Sequence, residues 1–369
     1  MSAPRALIRL EALRNNFAKL RETARGSRLV AVVKADAYGH GMLGVARALP
    51  DADAFAVARL TDALTLAEAL PGRQIVLFGG VYSARDLATA LARGIQPVVH
   101  CRAQLEMLEA ARSGAAVVWI EIDTGMRRLG FEPEDCAEVL ARTRAAAAVG
   151  EVRLMTHLAN ADDRRDPQTN LQLARFRAVL GTFGCDLSVA NSPGLLGWTE
   201  AVACGCDPAH SWVRCGLALY GVSPFPGSAG RELGLEPVMH FATTLVAVKR
   251  IRAGDRVGYG GTWRAAEDTV LGIVGAGYGD GYSRALPSGA PVVINGRRVP
   301  LAGRVSMDYA AVDLGPDAAD AIGDPVTLWG EELPVEEVAQ HAGTVPYTLL
   351  CGVHAERMAI PWEGALRAT

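Results

Sequence analysis

The sequence predicts an α/β chain: a (β/α)8, TIM-type barrel followed by a mostly β C-terminal domain. Three observations carry that expectation. Between residues 29 and 215 eight short apolar runs alternate with longer amphipathic segments. Such alternation builds parallel sheets, and eight units within roughly 200 residues suit a closed barrel. Beyond Pro237 the texture changes to valine- and threonine-rich stretches with hairpin signals, as a separate β domain requires. The chain has 369 residues, too many for one ordinary core. An open doubly wound sheet is the competing architecture, but the G-x-G-x-x-G turn it would normally carry after its first strand is absent.

Taken in order, the runs are 29–33, 55–58, 75–78, 97–99, 117–122, 152–155, 187–190 and 212–214. The pieces between them read as helices. Residues 83–93 and 102–112 are good examples, with Gly94 and Gly114 where C-terminal caps belong. Residues 223–230, with two prolines and two glycines, form the expected linker. After it, 240–251, 269–276 and 291–314 read as strands, Asn295-Gly296 as a two-residue hairpin turn and 335–342 as a helix. The expected domains are 11–229 and 230–369.

Composition excludes several functions. A formal net charge of -3, with basic residues scattered among acids, offers no electrostatic case for nucleic acid or an anionic membrane. Seven cysteines, odd in number and without C-x-x-C spacing, point to reduced thiols in a cytoplasmic setting and to no metal site. No apolar segment follows Met1, so neither secretion nor a membrane span is expected.

Active-site residues of a barrel come from the C-terminal ends of its strands. Lys34 follows the first run, Asp123 and Arg128 the fifth, His157 the sixth, Asn191 and Ser192 the seventh, and Arg214 the eighth. A lysine at the edge of a core is partly desolvated, which favours the neutral, nucleophilic amine and hence Schiff-base chemistry; a snorkelling structural lysine is the other reading. In Asn191-Ser192-Pro193-Gly194, Pro193 suits the first helical position and Ser192 the cap, so N–H groups would face an anion, although an ordinary helix cap has the same pattern. A phosphate site beside a Schiff-base lysine suggests pyridoxal phosphate.

The segment Val32-Val33-Lys34-Ala35-Asp36-Ala37-Tyr38-Gly39-His40-Gly41 closely resembles the cofactor-lysine motif of bacterial alanine racemases. Further landmarks follow in the family's order: Asp123-Thr124-Gly125-Met126, Thr156-His157, Asn191-Ser192, Val213-Arg214, Val257-Gly258-Tyr259-Gly260, Gly277-Tyr278-Gly279-Asp280-Gly281 and Gly303-Arg304-Val305-Ser306-Met307-Asp308. The resemblance covers nearly the whole chain. It implies a pyridoxal 5'-phosphate-dependent isomerase that interconverts L- and D-alanine, a barrel-plus-β fold, and a first strand (1–10) joined to the second domain. It also implies a homodimer with shared active sites. Lys34 would hold the cofactor as an aldimine and serve one face of the substrate, while Tyr259 of the second subunit serves the other. Arg214 would face the ring nitrogen, where it can only donate. His157 would bridge Arg214 and Tyr259. Tyr38, Asn191, Ser192 and the backbone of Gly216 and Leu217 would hold the cofactor; Arg128 would reach the cofactor phenolic oxygen or the substrate carboxylate, and the Met307 backbone would also hold that carboxylate. Asp308 and Glu121 would support the site.

Departures from the family bear on detail. Many members carry a carbamylated lysine where this chain has Glu121, whose carboxylate is expected to pair with Arg128 unmodified. The segment 351–357 lacks the family's gate tyrosine, and Tyr347 aligns at best with a neighbouring position. Preference for alanine over serine is therefore open, as is the use of D-alanine for the cell wall or its consumption. A non-catalytic pyridoxal phosphate carrier is the reading from another class, but such carriers lack a β domain. Pyridoxal-dependent decarboxylases need a Glu-Pro-Gly-Arg segment that this chain lacks.

Overall fold

The computed structural model describes residues 4–180, 184, 186–204, 206–353 and 362–363. All eight runs are parallel strands of one closed barrel: β2 (Arg28–Val32), β3 (Ala54–Val57), β4 (Ile75–Leu77), β5 (Ile95–Val99), β6 (Ala116–Glu121), β7 (Val149–Met155), β8 (Leu187–Ser188) and β9 (Ser211–Cys215). Closure is made by β9 pairing back on β2, with Leu29 opposite Val213. The strands are apolar on both faces because one face fills the barrel and the other meets the surrounding helices. The helix Ala84–Ala92 is capped by the Ser83 hydroxyl, which accepts from the Asp86 amide, and Gly94 after it is left-handed (φ +66°). The helix Arg102–Glu109 stops short of the expected 112. Gly114 does not cap it: its amide donates to the Ala147 carbonyl and leads into β6.

The barrel is plugged at its lower end and open at its upper end. Arg153, 5% exposed, lies between the rings of Trp119 and Trp212, 5.2 and 4.3 Å from their centroids. Its guanidinium donates to Gln74, Gln96 and Glu151. The indole N–H groups are satisfied too, Trp119 on Gln96 (2.9 Å) and Trp212 on Asp186 (2.8 Å). A buried cation is tolerated here because acceptors and π-faces replace its water.

The first strand, β1 (Arg5–Arg9), belongs to the other half of the molecule. It pairs antiparallel with β10 (Met239–Ile251) and parallel with the last described strand, Trp362–Glu363. Next come β11 (Arg256–Val257), β12 (Trp263–Arg264), β13 (Thr269–Val274), β14 (Pro291–Ile294), β15 (Arg297–Pro300), β16 (Ala310–Gly315), β17 (Pro325–Trp329) and β18 (Trp362–Glu363). Except for the small β11–β12 pair, they form one eight-stranded sheet with β1 and the long, bent β10. Asn295 (φ +48°) and Gly296 (φ +75°) make the expected tight turn between β14 and β15. The expected helix occurs as Val335–His341. Residues 223–230 are more than a tether: the Ser223 and Gly230 amides both donate to the Glu336 carboxylate at 2.8 Å, which fixes the segment against that helix. Among the described residues no helix is long and apolar enough to cross a membrane.

Candidate active site

A cavity of about 860 Å³ opens at the C-terminal ends of the barrel strands. Lys34, Tyr38, Glu121, Arg128 and His157 line it, as do Asn191, Ser192, Arg214, Gly216 and Leu217. Each reaches it by a different local device.

Lys34 lies one residue beyond β2, after Val33, and opens a turn of unusual hand. Ala35, Asp36, Ala37 and Tyr38 have φ values of +53°, +51°, +54° and +56°. For L-residues each such conformation costs roughly 1–2 kcal/mol, so the turn persists only where its surroundings over-determine it. The Asp36 carboxylate accepts from the Met42 amide (2.7 Å), and the Asp36 carbonyl from Gly41 (2.9 Å). Gly39 (φ +78°) lies so close to the helix Pro346–Cys351 that a Cβ there would fall 2.2 Å from the Leu350 carbonyl oxygen. The result is a half-buried amine whose pKa is lowered, first by burial and then by the Arg128 and Arg214 charges. Its neutral, nucleophilic form is thereby enriched.

Arg128 sits in the loop 123–131. The Asp123 carboxylate accepts from the Gly125 (2.8 Å) and Arg127 (3.0 Å) amides, and a Cβ at Gly130 would lie 2.7 Å from the Asp123 nitrogen. The loop is therefore folded tightly on itself, with Arg128 exposed at the cavity mouth. Glu121 does not pair with it as expected. Among the described residues the Glu121 carboxylate makes no ion pair; it lies buried in the field of two cations, with Arg214 the stronger influence and Arg128 the weaker. Burial raises its pKa and the two arginines oppose the rise. The difference follows from position: Glu121 is buried at the end of β6, whereas the loop carries Arg128 out to the exposed mouth.

Arg214, 4% exposed, is held by neutral acceptors. It donates to the Thr156 carbonyl (2.7 Å), the Val189 carbonyl (3.2 Å) and the Ser188 hydroxyl. Its fourth partner is His157 Nδ1, at 3.4 Å. Burial pulls the guanidinium down to about 10, with Glu121 opposing, so it remains a cation at neutral pH. Burial and the charges of Arg214, Arg128 and Lys34 bring His157 down to about 3, which leaves it a neutral acceptor.

The loops after β8 and β9 interlock. Asn191, not Ser192, caps the helix Ser192–Gly197: its side-chain oxygen accepts from the Gly194 amide at 3.0 Å. Pro193 is consequently the second helical residue. Ser192 is released from capping, and its hydroxyl accepts from the Gly216 and Ala218 amides at 3.0 and 3.4 Å. Gly216 has no room for a side chain, since a Cβ would lie 2.7 Å from the Tyr38 hydroxyl. Thus a phenol, a hydroxyl and glycine backbone meet on one wall, opposite a nucleophilic amine. This set fits an aldehyde that carries a phosphate, with cations to balance its charge.

Tyr259, Met307 and Asp308 are not brought to this cavity. Tyr259 is 69% exposed, in a turn with positive φ at Gly258, Gly260 and Gly261. The motif loops of the β domain gather around it: Gly303 abuts the Val257 carbonyl, and the Tyr278 and Gly279 amides donate to the Ser306 and Met307 carbonyls. Met307 (53% exposed) and Asp308 share that surface.

Several contributors carry no local motif. Gln172, fully buried on the helix Gln168–Leu180, joins two site loops: it donates to the Thr124 hydroxyl of one and the His157 carbonyl of the other, and accepts from the Ala159 amide of the latter. Tyr347 lines the cavity and packs on Tyr38 with ring centroids 5.6 Å apart. Residues 224–229 of the expected linker also line it. Most of the C-terminal segment 351–357 lies outside the described residues.

Two families match this chain, described as alanine racemase, N-terminal domain (residues 8–224), and alanine racemase, C-terminal domain (238–360). The alanine racemase of Shewanella woodyi is 49% identical over 349 residues, 94% of this chain and 96% of that one. That of Vibrio cholerae is 45% identical over 369 residues, 99% of each. Among solved structures, the biosynthetic alanine racemase of Pseudomonas aeruginosa superposes with a TM-score of 0.92 at 39% identity, covering 98% of this chain and 99% of that one. The Bartonella henselae alanine racemase, solved with covalently bound pyridoxal phosphate, gives 0.87 at 28% identity over 98% and 100%.

Proposed function

The chain belongs to the alanine racemase family and interconverts L- and D-alanine, and we propose that it does so with two opposed bases, Lys34 and the Tyr259 of a second copy. The observation that carries this reading is the division of the motif residues into two sets. One set, around Lys34, lines a single cavity; the other, around Tyr259, stands exposed on a different surface of the same chain. A base is useful only within hydrogen-bond reach of the proton it moves, so a second subunit has to bring Tyr259 to the mouth.

Bound through Lys34, pyridoxal 5'-phosphate would supply an electron-withdrawing ring that acidifies the α-carbon of the amino acid. Tyr38 and Ser192 would hold its phosphate, helped by the backbone of Gly216 and Leu217, with Asn191 ordering the loop. Arg214 would donate to the ring nitrogen. Because it only donates and is itself fixed by three neutral acceptors, it would leave that nitrogen unprotonated and temper electron withdrawal, which disfavours side reactions. His157, neutral, would accept from Arg214 on one side and orient Tyr259 on the other. Arg128 and the Met307 backbone would fix the alanine carboxylate, Met307 arriving with Tyr259 and Asp308. Burial and the charges of Arg128 and Arg214 lower the pKa of Lys34 and so enrich its neutral form, the form that accepts a proton. Seven cysteines without paired C-x-x-C spacing support a reducing, cytoplasmic setting.

Chiral analysis of alanine after incubation with the protein tests the reading. L-Alanine should become a mixture of both enantiomers, borohydride should fix the cofactor on Lys34, and Lys34→Ala should abolish both results. Tyr259→Phe should retain the cofactor while slowing the two directions unequally. Equal, undiminished rates in that variant would remove Tyr259 from the mechanism. Serine, run in parallel, measures the breadth of the site.

A further inference from the structure

His40 lines no part of the cavity, yet it is fully buried at the end of the left-handed turn. Its Nδ1 lies 3.0 Å from both the Ala37 and the Tyr38 carbonyl oxygens. Two acceptors facing one nitrogen mean that Nδ1 carries the proton. Nε2 is then bare, and among the described residues it has no hydrogen-bond partner. A buried polar atom is seldom left in that state, so the ring earns its place through Nδ1. The ring also packs against Tyr220, with centroids 4.5 Å apart. Tyr220 in turn donates its hydroxyl to the Val32 carbonyl (2.9 Å) and touches Tyr38. Val32, at the strand end that precedes Lys34, and Tyr38 at the close of the turn are thereby tied to the same small group. Without the Nδ1 donor the Ala37 carbonyl would keep only the His40 amide (3.1 Å) and the Tyr38 carbonyl would lose its side-chain partner, so four successive left-handed L-residues would have one restraint fewer against relaxing to the ordinary hand.

We propose that His40 is a positioning residue: its Nδ1–H clamps the Ala37 and Tyr38 carbonyls and so keeps the left-handed turn that directs the Lys34 amine and the Tyr38 hydroxyl into the cavity. The proposal rests on the reading of Lys34 as the cofactor lysine. It requires a donor at the Nδ1 position, not an aromatic ring.

Two substitutions separate those requirements. His40→Asn keeps an N–H donor near the place of Nδ1 and discards the ring, whereas His40→Leu keeps apolar bulk beside Tyr220 and discards the donor. Hydrogen exchange of the amides of residues 37–42, measured on cofactor-free full-length protein, reads the turn directly. It should quicken roughly tenfold in His40→Leu, the equivalent of about one hydrogen bond, and stay near wild type in His40→Asn. Borohydride trapping of pyridoxal phosphate on Lys34 across a pH series reads the amine. Besides burial, the groups that set its charge are Arg128, Cys351 and Arg214, and they are untouched by either change. If the turn loosens, Lys34 becomes better hydrated and the capture midpoint moves to higher pH in His40→Leu but not in His40→Asn. A residue that merely stabilises the fold would leave that midpoint in place. Wild-type exchange and midpoint in His40→Leu would overturn the proposal, as would a shifted midpoint in His40→Asn, which decides the question even if His40→Leu does not fold. Should wild-type protein capture no pyridoxal phosphate, the reading of Lys34 falls, and exchange alone decides whether His40 holds the turn.

Discussion

His157 and His40 have ordinary values near 6.5, but burial holds them at about 3 and about 4. In the folded protein both stay neutral well below the pH at which the unfolded chain takes up protons. Between about 4 and 6.5 the unfolded state therefore binds more protons, and stability is lost as pH falls through that window. Each histidine contributes a slope of up to about 1.4 kcal/mol per pH unit. Urea midpoints measured from pH 6.5 toward 4 should fall accordingly, and His157→Gln should remove one of the two contributions. Glu121 gives a second expectation at this scale. Because a carboxylate already lies in the field of Arg214 and Arg128, turnover should be indifferent to removal of bicarbonate. Glu121→Gln should lower kcat/KM by about fivefold, the equivalent of about 1 kcal/mol of partly screened charge.

At the scale of elements, two glycines separate the site from the scaffold. Gly216→Ala would push a methyl to 2.7 Å from the Tyr38 hydroxyl, a movable side-chain atom, so cofactor affinity should drop roughly tenfold or more while the melting temperature of the cofactor-free protein changes little. Gly39→Ala would meet the Leu350 backbone at 2.2 Å and keep a positive φ, and should cost the fold itself roughly 1–3 kcal/mol. The barrel strands were legible in the sequence because a strand buried on both faces is written as an unbroken apolar run. The left-handed turn was not: Ala35, Asp36, Ala37 and Tyr38 have no intrinsic preference for that hand, and only tertiary contacts impose it. Sequence likewise located the Asn191-Ser192 pair but exchanged their duties, since either side chain can cap a helix and the choice depends on the Gly216 and Ala218 amides from another strand. Gln172 escaped notice because a buried amide in mid-helix has no local pattern; its partners lie 13 to 48 residues away.

For the whole molecule, the proposed exchange of Tyr259 between subunits makes a stoichiometric prediction. Neither Lys34→Ala nor Tyr259→Phe should racemise alanine normally alone. When the two variants are unfolded and refolded together, half of the dimers should be hybrids, each with one intact site. Recovered activity should thus be about one quarter of wild type for an isologous dimer. No recovery, with hybrid dimers verified by mass spectrometry, would mean that both bases come from one chain.

The pairing of β1 with β10 carries a further consequence, for biogenesis. Arg5 waits for Ala242 and Ile8 for Met239, so β1 leaves the ribosome without this partner until more than two hundred later residues have been made. At about 5–20 residues per second that interval is some tens of seconds, during which Ala6 and Ile8, both fully buried in the finished protein, are exposed on an unpaired edge. The barrel can close in the meantime, but the sheet domain cannot. Nascent chains halted before residue 239 should accordingly be protected from protease across the barrel yet cut near residue 9, and that cleavage should cease once β10 has emerged.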